Sequence, residues 1–503
     1  MPDFELDRIS KFLKKRISEY SADTLHYKCG TVSRAGDGVV RITGLEGRKY
    51  GELLEFEGDV YGMALDLEEN GVGAVIMDNA DTVSVGDRVK GTGRVAEIPV
   101  GDELIGRVID PIGRPLDGRA LEAKSYLPVE RPAPPIMDRR PVDTPLETGI
   151  LAIDSMIPIG RGQRELIIGD RQTGKTSVAI DAILNQKNSG VLCVYCAIGQ
   201  KASNVAQTIE QLRAAGAMEY SIVVAATASD SPAMQYLAPY AACSVAEHFM
   251  EDGKDVLVVY DDLSKHAVAY RTMSLLLHRP PGREAYPGDV FYLHSRLLER
   301  SACLSERLGG GSLTALPIIE TMGDNISAYI PTNVISITDG QIYLETELFH
   351  SGIRPAVNTG LSVSRVGRAA QYEAMKSVSG SLRIALSKYR EMAVFTRFGS
   401  DVDASTADML ARGERLTQLF KQNKGRPYTL FEETALLLAY QNNAFKDIPA
   451  AKVAETVPKL LRFLNSRAAD VRSEISSTKQ LSDDDRAKLV KCINSFKEGL
   501  VNG

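Results

Sequence analysis

The stretch Gly169-Asp-Arg-Gln-Thr-Gly-Lys-Thr176 has the form G-x-x-x-x-G-K-T, and the middle of the chain is best understood from it. It follows the apolar run Leu166-Ile-Ile168 and precedes residues 177–184, where apolar side chains recur at helical spacing. Between a buried strand and a helix, this motif is typical of a phosphate-binding loop, because backbone N–H groups and the helix N-terminus surround the anion. Lys175 can reach the β- and γ-phosphates, and the Thr176 hydroxyl can bind Mg²⁺. We therefore expect the chain to bind a nucleoside triphosphate, while hydrolysis is a separate question.

The composition is that of a globular protein with several domains. The chain has 503 residues, of which 44% are hydrophobic and 25% are charged, and this length suits about three or four domains. Its net charge of −6 argues against a large nucleic-acid-binding surface. We expect no membrane span, because no apolar run reaches the roughly 18 residues of a transmembrane helix. The acidic N-terminus has no apolar signal segment, so we expect neither a secretion nor an import signal.

The six cysteines do not suggest a disulfide framework in a chain of this length. Cys193 and Cys196 form a C-x-x-C pair, but both lie within the strand-like run 191–198. We interpret them as buried core thiols rather than as a redox or metal-binding pair. A reducing, cytosol-like compartment follows.

The first segment, residues 4–20, is predicted to be a short amphipathic helix. Leu6, Ile9, Leu13 and Ile17 share one face of it. That apolar face needs a partner, which is either the body of this protein or another subunit. A membrane-surface helix is the third alternative, and the acidic residues of the first turn speak against it.

Residues 25 to about 95 carry the signals of short β-strands. Asn70-Gly71 separates the apolar runs 63–67 and 72–77, which indicates a hairpin. Several short strands at close spacing predict a small barrel. Because these strands contain few aromatic residues to stack on bases, we expect a structural role rather than nucleic-acid binding.

Beyond the barrel, three regions follow in order. The proline-rich segment 127–146 cannot form regular helix or central sheet and should be an extended connection. From about 150, strand and helix patterns alternate, as in a parallel sheet covered by helices. The predicted strands are 164–168, 191–198, 221–227 and 255–260, and the predicted helices are 175–187, 203–216 and 232–252. From about 373 to the end the pattern is helical, and the capping signal at Ser482 opens the last helix.

A second ligand-binding signal follows the apolar run 255–260. Asp261 and Asp262 stand at the carboxyl end of this predicted buried strand, where ligands bind in parallel sheets. We predict that Asp261 acts on Mg²⁺, directly or through water. Asp262 suits the alternative role of a helix N-cap.

The expected base for hydrolysis is missing from the next strand end, Ala197-Ile-Gly-Gln-Lys201. Many enzymes with this core have a glutamate there, whereas Gln200 can position a water but cannot accept its proton. We therefore expect slow or absent hydrolysis at this site. The competing view is that Glu210 or Glu247 folds back to serve as the base.

A single arginine lies within the small-residue motif Ser362-Val-Ser-Arg-Val-Gly367. Arginines of this kind can stabilise transition-state charge at a neighbouring subunit's site by about 10³–10⁵-fold. From composition alone, a buried salt bridge for Arg365 is the simpler interpretation.

Together these motifs resemble the α subunits of F-type (rotary) ATP synthases over essentially the whole chain. Besides the phosphate-binding loop, the resemblance rests on Tyr260-Asp-Asp-Leu-Ser-Lys265, Arg279-Pro-Pro-Gly-Arg-Glu-Ala-Tyr-Pro-Gly-Asp289, Pro331-Thr-Asn-Val-Ile-Ser-Ile-Thr-Asp-Gly340 and Ser362-Val-Ser-Arg-Val-Gly367. The β subunits of such complexes would have a glutamate in place of Gln200, so the resemblance favours α over β. The run Gly309-Gly310-Gly311 is similar to bacterial members.

The resemblance implies a multidomain fold in four segments. These are an N-terminal stalk-binding helix (1–24), an all-β barrel (25–95), an α/β RecA-like P-loop nucleotide-binding domain (96–372) and an all-α helical bundle (373–503). It further implies a ring of three α and three β chains around a γ shaft subunit, with the δ and b subunits of a peripheral stalk bound to the N-terminal helix. The chain would be a regulatory subunit that holds ATP or ADP with Mg²⁺ and does not turn it over. The proton-translocating complex would lie at the cytoplasmic face of the bacterial cell membrane as a peripheral membrane assembly.

The family pattern also implies roles for individual residues. Nucleotide contacts would come from the loop residues Gly169, Asp170, Arg171, Gln172, Thr173, Gly174, Lys175 and Thr176. The adenine pocket would be lined by Phe349, Arg354, Pro355 and Gln422. Mg²⁺ would be held by Thr176 and, through water, by Asp261. The resemblance implies that Arg365 acts in trans at the β catalytic site, with Ser336 near the same interface. Two positions depart from the pattern, Arg368 where glycine is usual and Lys424 where glutamine is common.

Two other classes of function share parts of this pattern. A RecA-like hexameric RNA translocase would have a related nucleotide domain, but the net charge and the aromatic-poor barrel speak against it. A self-sufficient ATPase of the secretion type would need a glutamate at position 200, where this chain has glutamine.

Overall fold

The computed structural model describes residues 29–45, 47–58, 60–78, 80–396 and 403–501. The chain divides into two compact units between Arg94 and Val95. The predicted N-terminal helix, residues 4–20, lies outside the described residues. None of the described helices is both long and apolar enough to cross a bilayer.

Within the described part of the first unit, six strands close into the predicted barrel. They are β1 (Cys29–Gly36), β2 (Val39–Thr43), β3 (Glu52–Phe56), β4 (Val60–Glu68), β5 (Gly71–Ile76) and β6 (Arg88–Val95), in the order β1-β2-β5-β4-β3-β6. The predicted hairpin is the antiparallel pair β4–β5, in which Glu68 lies opposite Gly71. Side chains alternate between core and surface along β2 and β3, and the inward set, including Ile42 and Leu54, forms an apolar core. Closure satisfies the backbone of both edge strands, which explains why short strands suffice.

The second unit is built on a mostly parallel sheet. Its strands, numbered on along the chain, are β7 (Glu97–Val100), β8 (Val108–Ile109), β9 (Ser125–Pro128), β10 (Pro145–Leu146), β11 (Ile159–Gly160), β12 (Leu166–Asp170), β13 (Leu192–Gln200), β14 (Ser221–Thr227), β15 (Asp255–Asp261), β16 (Ser312–Thr321), β17 (Gly340–Leu344) and β18 (Val363–Ser364). In the described residues, eight of them form one sheet in the order β18-β17-β12-β16-β15-β13-β14-β8. Only β18 in this sheet is antiparallel to its neighbour. Strands β12 to β15 confirm the four predicted strands.

The helices of the described residues are numbered in the same way. They are α1 (Leu151–Met156), α2 (Lys175–Asn185), α3 (Ala202–Ala214), α4 (Pro232–Glu251), α5 (Leu263–Leu276), α6 (Val290–Leu298), α7 (Tyr329–Ile337), α8 (Thr346–His350), α9 (Glu373–Ser379), α10 (Leu382–Thr396), α11 (Ala404–Leu419), α12 (Leu430–Gln441), α13 (Ala450–Arg467), α14 (Ala469–Thr478) and α15 (Asp483–Val501). The three predicted helices correspond to α2, α3 and α4.

Sequence analysis did not identify β16 as a strand, although it lies in the middle of the sheet between β12 and β15. Proline is normally confined to edge strands because it cannot donate a ladder hydrogen bond. Here Pro317 lies opposite Tyr260 of β15 in the parallel register. The proline therefore weakened the strand signal of an otherwise buried run.

The proline-rich connection 127–146 is extended, as predicted. Its two short strands, β9 and β10, pair only within two-stranded sheets. The connection is anchored by Arg300, whose buried guanidinium donates to the carbonyl oxygen of Val129 at 2.7 Å. The same guanidinium donates to both carboxylate oxygens of Glu247, each at 2.7 Å.

The C-terminal region confirms the helical prediction. Helix α12 begins with a capping box formed by Thr429 and Glu432, and Ser482 caps α15 by accepting the Asp485 N–H at 3.1 Å. Apolar side chains of these helices share one core with those of α1 and α2. The helical region is therefore packed directly onto the elements that carry the phosphate-binding loop.

Candidate nucleotide-binding site

The loop between β12 and α2 has the tight geometry that its glycines allow. A Cβ atom on Gly169 would clash with the carbonyl oxygen of Leu344 on the neighbouring strand β17. Gly174 precedes the first residue of α2 with φ of 97°, a conformation that favours glycine. The loop can therefore present backbone N–H groups and the helix N-terminus to a phosphate.

Lys175 is held at the centre of this loop. Its ammonium group donates to the carbonyl oxygen of Gly169 at 2.8 Å and also to that of Asp170. The side chain is buried, and burial lowers the pKa of Lys175, while the nearby carboxylates led by Glu320 act in the opposite direction. A buried cation with several anionic neighbours is well placed to receive phosphate oxygens.

The loop's other side chains brace it or face solvent. Asp170 accepts hydrogen bonds from the Thr321 hydroxyl at 2.5 Å and from the Asp324 N–H at 3.0 Å. Thr173 is buried and donates to the carbonyl oxygen of Asp170 at 2.8 Å. Arg171 and Gln172 are exposed. Both side chains thus lie at the surface of the loop.

The structure joins Thr176 to Asp261, as the two sequence motifs predicted. The Thr176 hydroxyl donates to Oδ2 of Asp261 at 2.7 Å, and the buried Tyr195 hydroxyl donates to the same oxygen at 2.9 Å. Asp262 instead caps α5, where its carboxylate accepts the Lys265 N–H at 2.8 Å. Burial raises the pKa of Asp262 to about 6. The predicted N-cap role of Asp262 is therefore confirmed, and the role of Asp261 towards Mg²⁺ stays a prediction.

The Thr176–Asp261 pair fits a magnesium site. Mg²⁺ prefers hard oxygen ligands, and in phosphate-binding sites it takes one or two from the protein and the rest from phosphate and water. A threonine hydroxyl and a carboxylate that already touch at the edge of the sheet match this donor set.

Gln200 lies at the same edge and is held in place. Its Nε2 donates to the backbone carbonyl oxygen of Asp261 at 3.0 Å, and its side chain is buried. The alternative bases are engaged elsewhere: Glu210 pairs with Arg213 on the surface, and Glu247 is bound to Arg300. The hypothesis that Glu210 or Glu247 folds back to the site is therefore wrong in this structure.

One carboxylate that was not predicted from the sequence does reach the loop. Glu320 lies opposite Gly169 in the register of β12 and β16. Its carboxylate pairs with Nε of Arg171 at 2.6 Å, and its backbone N–H donates to the hydroxyl of Ser264 at 2.8 Å. An acid ending an apolar run at 312–319 was the available signal, and it was hidden because β16 itself was not recognised.

The residues expected around adenine gather beside the loop. The ring of Phe349 approaches the position of a Cβ on Gly174 at 3.9 Å, and the Arg354 guanidinium stacks 4.2 Å from the centre of that ring. Pro355 follows directly, and the Gln422 N–H donates to the carbonyl oxygen of Arg354 at 2.8 Å. These four residues come from segments more than 60 positions apart, and the fold brings them together.

The loop around Gln422 is tied to the phosphate-binding helix. The Gly425 N–H donates to Oδ1 of Asp181 on α2 at 2.7 Å. Burial raises the pKa of Asp181 to about 6, while the neighbouring charge of Lys424 acts to lower it. Lys424, one of the two departures from the family pattern, therefore interacts with a carboxylate of α2.

Arg365 and Ser336 both lie on the surface of the unit. The Arg365 backbone N–H donates to the carbonyl oxygen of Asp339 at 2.8 Å, which fixes the position of its main chain. Its side chain is exposed, and its guanidinium forms no hydrogen bond or ion pair with the described residues. The simpler interpretation of a buried salt bridge is therefore wrong. Ser336, exposed on α7, donates to the carbonyl oxygen of Asn333 at 2.6 Å.

The fold and the site together define a class. A parallel sheet carries a phosphate-binding loop after β12 and a carboxylate at the end of β15, and a threonine hydroxyl of the loop touches that carboxylate. This is the arrangement of a P-loop nucleotide-binding domain, with its site at the carboxyl ends of the strands.

Comparison with known proteins identifies the family within this class. Three models of the ATP synthase alpha/beta family match the chain, the beta-barrel domain at residues 28–93, the nucleotide-binding domain at 149–364 and the C-terminal domain at 371–496. A protein named ATP synthase subunit alpha from Caldanaerobacter subterraneus subsp. tengcongensis is 58% identical over 98% of this chain and 97% of its own length. Proteins of the same name from Acetivibrio thermocellus and from Clostridium botulinum strain Langeland are 57% and 56% identical, each over at least 98% of both chains. The chain belongs to the ATP synthase alpha/beta family, which confirms the resemblance found in the sequence.

Proposed function

We propose that this chain is the alpha subunit of an F-type ATP synthase and that its own site binds ATP or ADP with Mg²⁺ without hydrolysing it. The near-full-length similarity to proteins named ATP synthase subunit alpha supports the assignment to this complex. One observation carries the non-hydrolytic part. At the sheet edge beside Asp261, the neutral amide of Gln200 donates to a backbone carbonyl oxygen, so it cannot take a proton from an attacking water.

Different residues of the site bind different parts of the nucleotide. Lys175 and the loop N–H groups bind phosphate oxygens, and Phe349 with Arg354 provides an apolar and a cationic face beside the base. Thr176 and Asp261 would hold Mg²⁺, which neutralises phosphate charge when it is bound. Glu320 remains paired with Arg171 and is therefore not a free proton acceptor.

The exposed surfaces suggest how the chain works in the assembly. The exposed guanidinium of Arg365 forms no hydrogen bond or ion pair with the described residues, and its main chain is fixed by Asp339, as a residue that serves a neighbouring site would require. We propose that it reaches the γ-phosphate in the site of an adjacent β subunit in an alternating ring around a γ shaft, with Ser336 near that contact. The N-terminal segment would bind the δ and b subunits of a peripheral stalk. The complex would lie at the cytoplasmic face of the bacterial membrane.

The test separates binding from turnover in the purified chain. Binding is followed by the fluorescence of a labelled ATP analogue with Mg²⁺, and turnover by release of inorganic phosphate. We expect saturable binding, and phosphate release no faster than that of the Lys175→Ala variant, which measures the contaminating background. Robust turnover that disappears in Lys175→Ala would overturn the non-hydrolytic assignment.

If turnover is found, two further experiments identify its source. Loss of that turnover in Glu320→Gln would assign the base to Glu320. Stimulation of turnover by added RNA would instead favour a translocase.

A further inference from the structure

A second polar site lies in the same unit, in a small cavity of which no lining residue belongs to the phosphate-binding loop. The cavity offers about 20 Å³ for the centre of a water-sized sphere, and four of its lining residues are Glu147, Asp154, Gln371 and Glu433. About 10–15 Å³ by this measure is enough for one water. Three carboxyl groups and an amide therefore meet around a space for one or two small molecules.

The hydrogen bonds of Asp154 favour the ionised form of this carboxyl group. Its Oδ1 accepts the Thr148 N–H at 3.0 Å and the Thr148 hydroxyl at 2.7 Å, and its Oδ2 accepts the Gly149 N–H at 2.8 Å. Three donors converging on one buried carboxyl favour the anion. These three donors therefore oppose the effect of burial, which raises the pKa of Asp154.

Glu433, on α12, lacks the hydrogen-bond donors that surround Asp154. It is 1% exposed and forms no ion pair with the described residues, and its Oε1 has no hydrogen-bond partner. Its carboxyl group lines the same cavity as that of Asp154, and the charge of Asp154 acts on it. Two buried carboxylates that line one small cavity repel each other strongly, so one of them must be neutral. Because Asp154 already accepts three hydrogen bonds, the neutral acid is Glu433, which then donates to Asp154.

Three unpaired side-chain oxygens of the lining residues can act as acceptors. Oε1 of Gln371, a residue only 5% exposed, and the buried Oε1 of Glu147 lack partners, as does Oε1 of Glu433. The amide nitrogen of Gln371 is already used, because it donates to the carbonyl oxygens of Asp154 and Ser155. A water in the cavity can donate to two of these oxygens.

The charged and titratable groups around the pair agree with this assignment. Burial, then the charges of Asp154 and Glu147, raises the pKa of Glu433 well above its usual range, and Glu432 acts in the same direction. Burial raises the pKa of Asp154 to about 7. The nearest cations, Lys479 and Arg161, act on Glu147. Tyr428 adds no positive charge, and burial followed by the charge of Glu432 raises its own pKa.

The acid pair is connected to the adenine side of the nucleotide site. The carbonyl oxygen of Gly149, whose N–H is held by Asp154, accepts Nε2 of Gln422 at 2.6 Å and the Tyr428 N–H at 2.8 Å. Oε1 of Gln422 in turn accepts the Leu151 N–H at 3.1 Å. The short segment 148–151 is therefore hydrogen-bonded to the Asp154 carboxylate and also to the Gln422 side chain.

We propose that Glu433 is a proton-binding site, completed by one water in the cavity, and that its proton holds α12 against the segment that positions Gln422. The coupling to nucleotide rests on the proposed nucleotide site, whereas the proton site itself does not. Loss of the proton would place a second anion beside Asp154 and separate α12 from residues 148–151. Nucleotide affinity is thus full at low pH and falls as the pH rises through the titration of the pair, by at most about tenfold per pH unit for one proton.

The experiment uses the full-length chain at constant ionic strength between pH 6 and pH 9. Infrared spectroscopy follows the C=O stretch of a protonated carboxylic acid, and the labelled ATP analogue reports affinity. In the wild type we expect a buried-acid band at pH 6 that weakens towards pH 9, together with a falling affinity. Glu433→Gln keeps the shape and the donor to Asp154. It should therefore lose the Glu433 component of the band, while the contribution of other buried acids such as Asp181 and Asp262 remains, and its affinity should not change with pH.

The control is Glu455→Gln, an exposed glutamate of α13, which should behave as the wild type. A band of undiminished intensity in Glu433→Gln, or the absence of any band from the wild type at pH 6, would overturn the proton site. The wild-type measurement at pH 6 needs no variant, so it tests the proton site even if Glu433→Gln does not fold. A pH-dependent band with unchanged affinity would overturn only the coupling, and failure to bind the analogue at any pH would count against the proposed function. If replacing K⁺ and Na⁺ by choline abolished the pH dependence, an alkali cation rather than a proton would occupy the site and the proposal would be wrong.

Discussion

Replacing Arg365 by alanine should separate catalysis from stability. The guanidinium is exposed and bonds to no described residue, and the one hydrogen bond of Arg365, from its backbone N–H to Asp339, survives the substitution. The free energy of unfolding should therefore change by no more than about 0.5 kcal/mol. An arginine supplied to a neighbouring phosphoryl-transfer site is worth about 10³–10⁵-fold in rate, which corresponds to about 4–7 kcal/mol of transition-state stabilisation.

The assay compares ring complexes assembled with wild-type or variant chain. ATP turnover is measured in the complex, and nucleotide binding and urea unfolding are measured on the isolated chain. Arg365→Ala should lose most turnover while binding and unfolding stay near the wild-type values. Arg365→Lys should recover only part of it, because an ammonium lacks the planar, bidentate geometry of guanidinium.

The matched control is Arg368→Ala. Arg368 is also exposed and lies three positions along the chain, where it donates to the carbonyl oxygen of Lys376 at 3.1 Å. We expect near-normal turnover from this variant. Near-normal turnover from Arg365→Ala, or an equal loss from both variants, would refute a specific role for Arg365 at the neighbouring site.

Three further predictions follow from buried contacts of the nucleotide domain. Lys175→Ala should weaken Mg-nucleotide binding to the isolated chain by about 10–100-fold, because a charge-assisted hydrogen bond contributes about 1.5–3 kcal/mol. Unchanged affinity in a fluorescence titration would contradict a role of Lys175 in phosphate binding. Tyr195→Phe removes the 2.9 Å bond to Asp261 and should lower the free energy of unfolding by about 1–3 kcal/mol in a urea titration; an equal midpoint and slope would show that the bond adds nothing. Arg300→Met leaves the buried Glu247 with only its 3.1 Å contact to Arg131. This variant should lower the free energy of unfolding by about 3–5 kcal/mol in the same urea titration. The double variant Arg300→Met/Glu247→Leu should recover much of that loss.

The parts of the site that sequence reasoning identified are those whose chemistry is local. The phosphate-binding loop is one window of eight residues, and its turn, its cation and its helix start follow from neighbours along the chain. Asp261 was found because an acid ending a buried strand is visible in the same way, and the structure confirms its contact with Thr176. The adenine-side residues were implied only by the family resemblance, since Gln422 has no local signal.

The site residues that were overlooked or wrongly assigned from the sequence are those whose role depends on distant parts of the chain. Glu320 was overlooked because Pro317 disguised its strand, and only the register between β12 and β16 sets it against the loop. Glu210 and Glu247 were candidate bases in the sequence, yet folding commits them to Arg213 and Arg300. Whether a charged side chain is free is decided by its neighbours in space, which a linear pattern does not contain.

The chain's sequence alone determined the barrel, the alternating strand and helix order, the helical C-terminal region and the phosphate-binding loop. Each of these is encoded by periodicity or by a contiguous motif, so short-range physics suffices. Tertiary structure alone decided that Arg365 is exposed and that Glu433 and Asp154, 279 positions apart in the chain, line the same cavity. Burial and pairing of charges depend on contacts between distant segments, and those contacts exist only once the whole unit has folded.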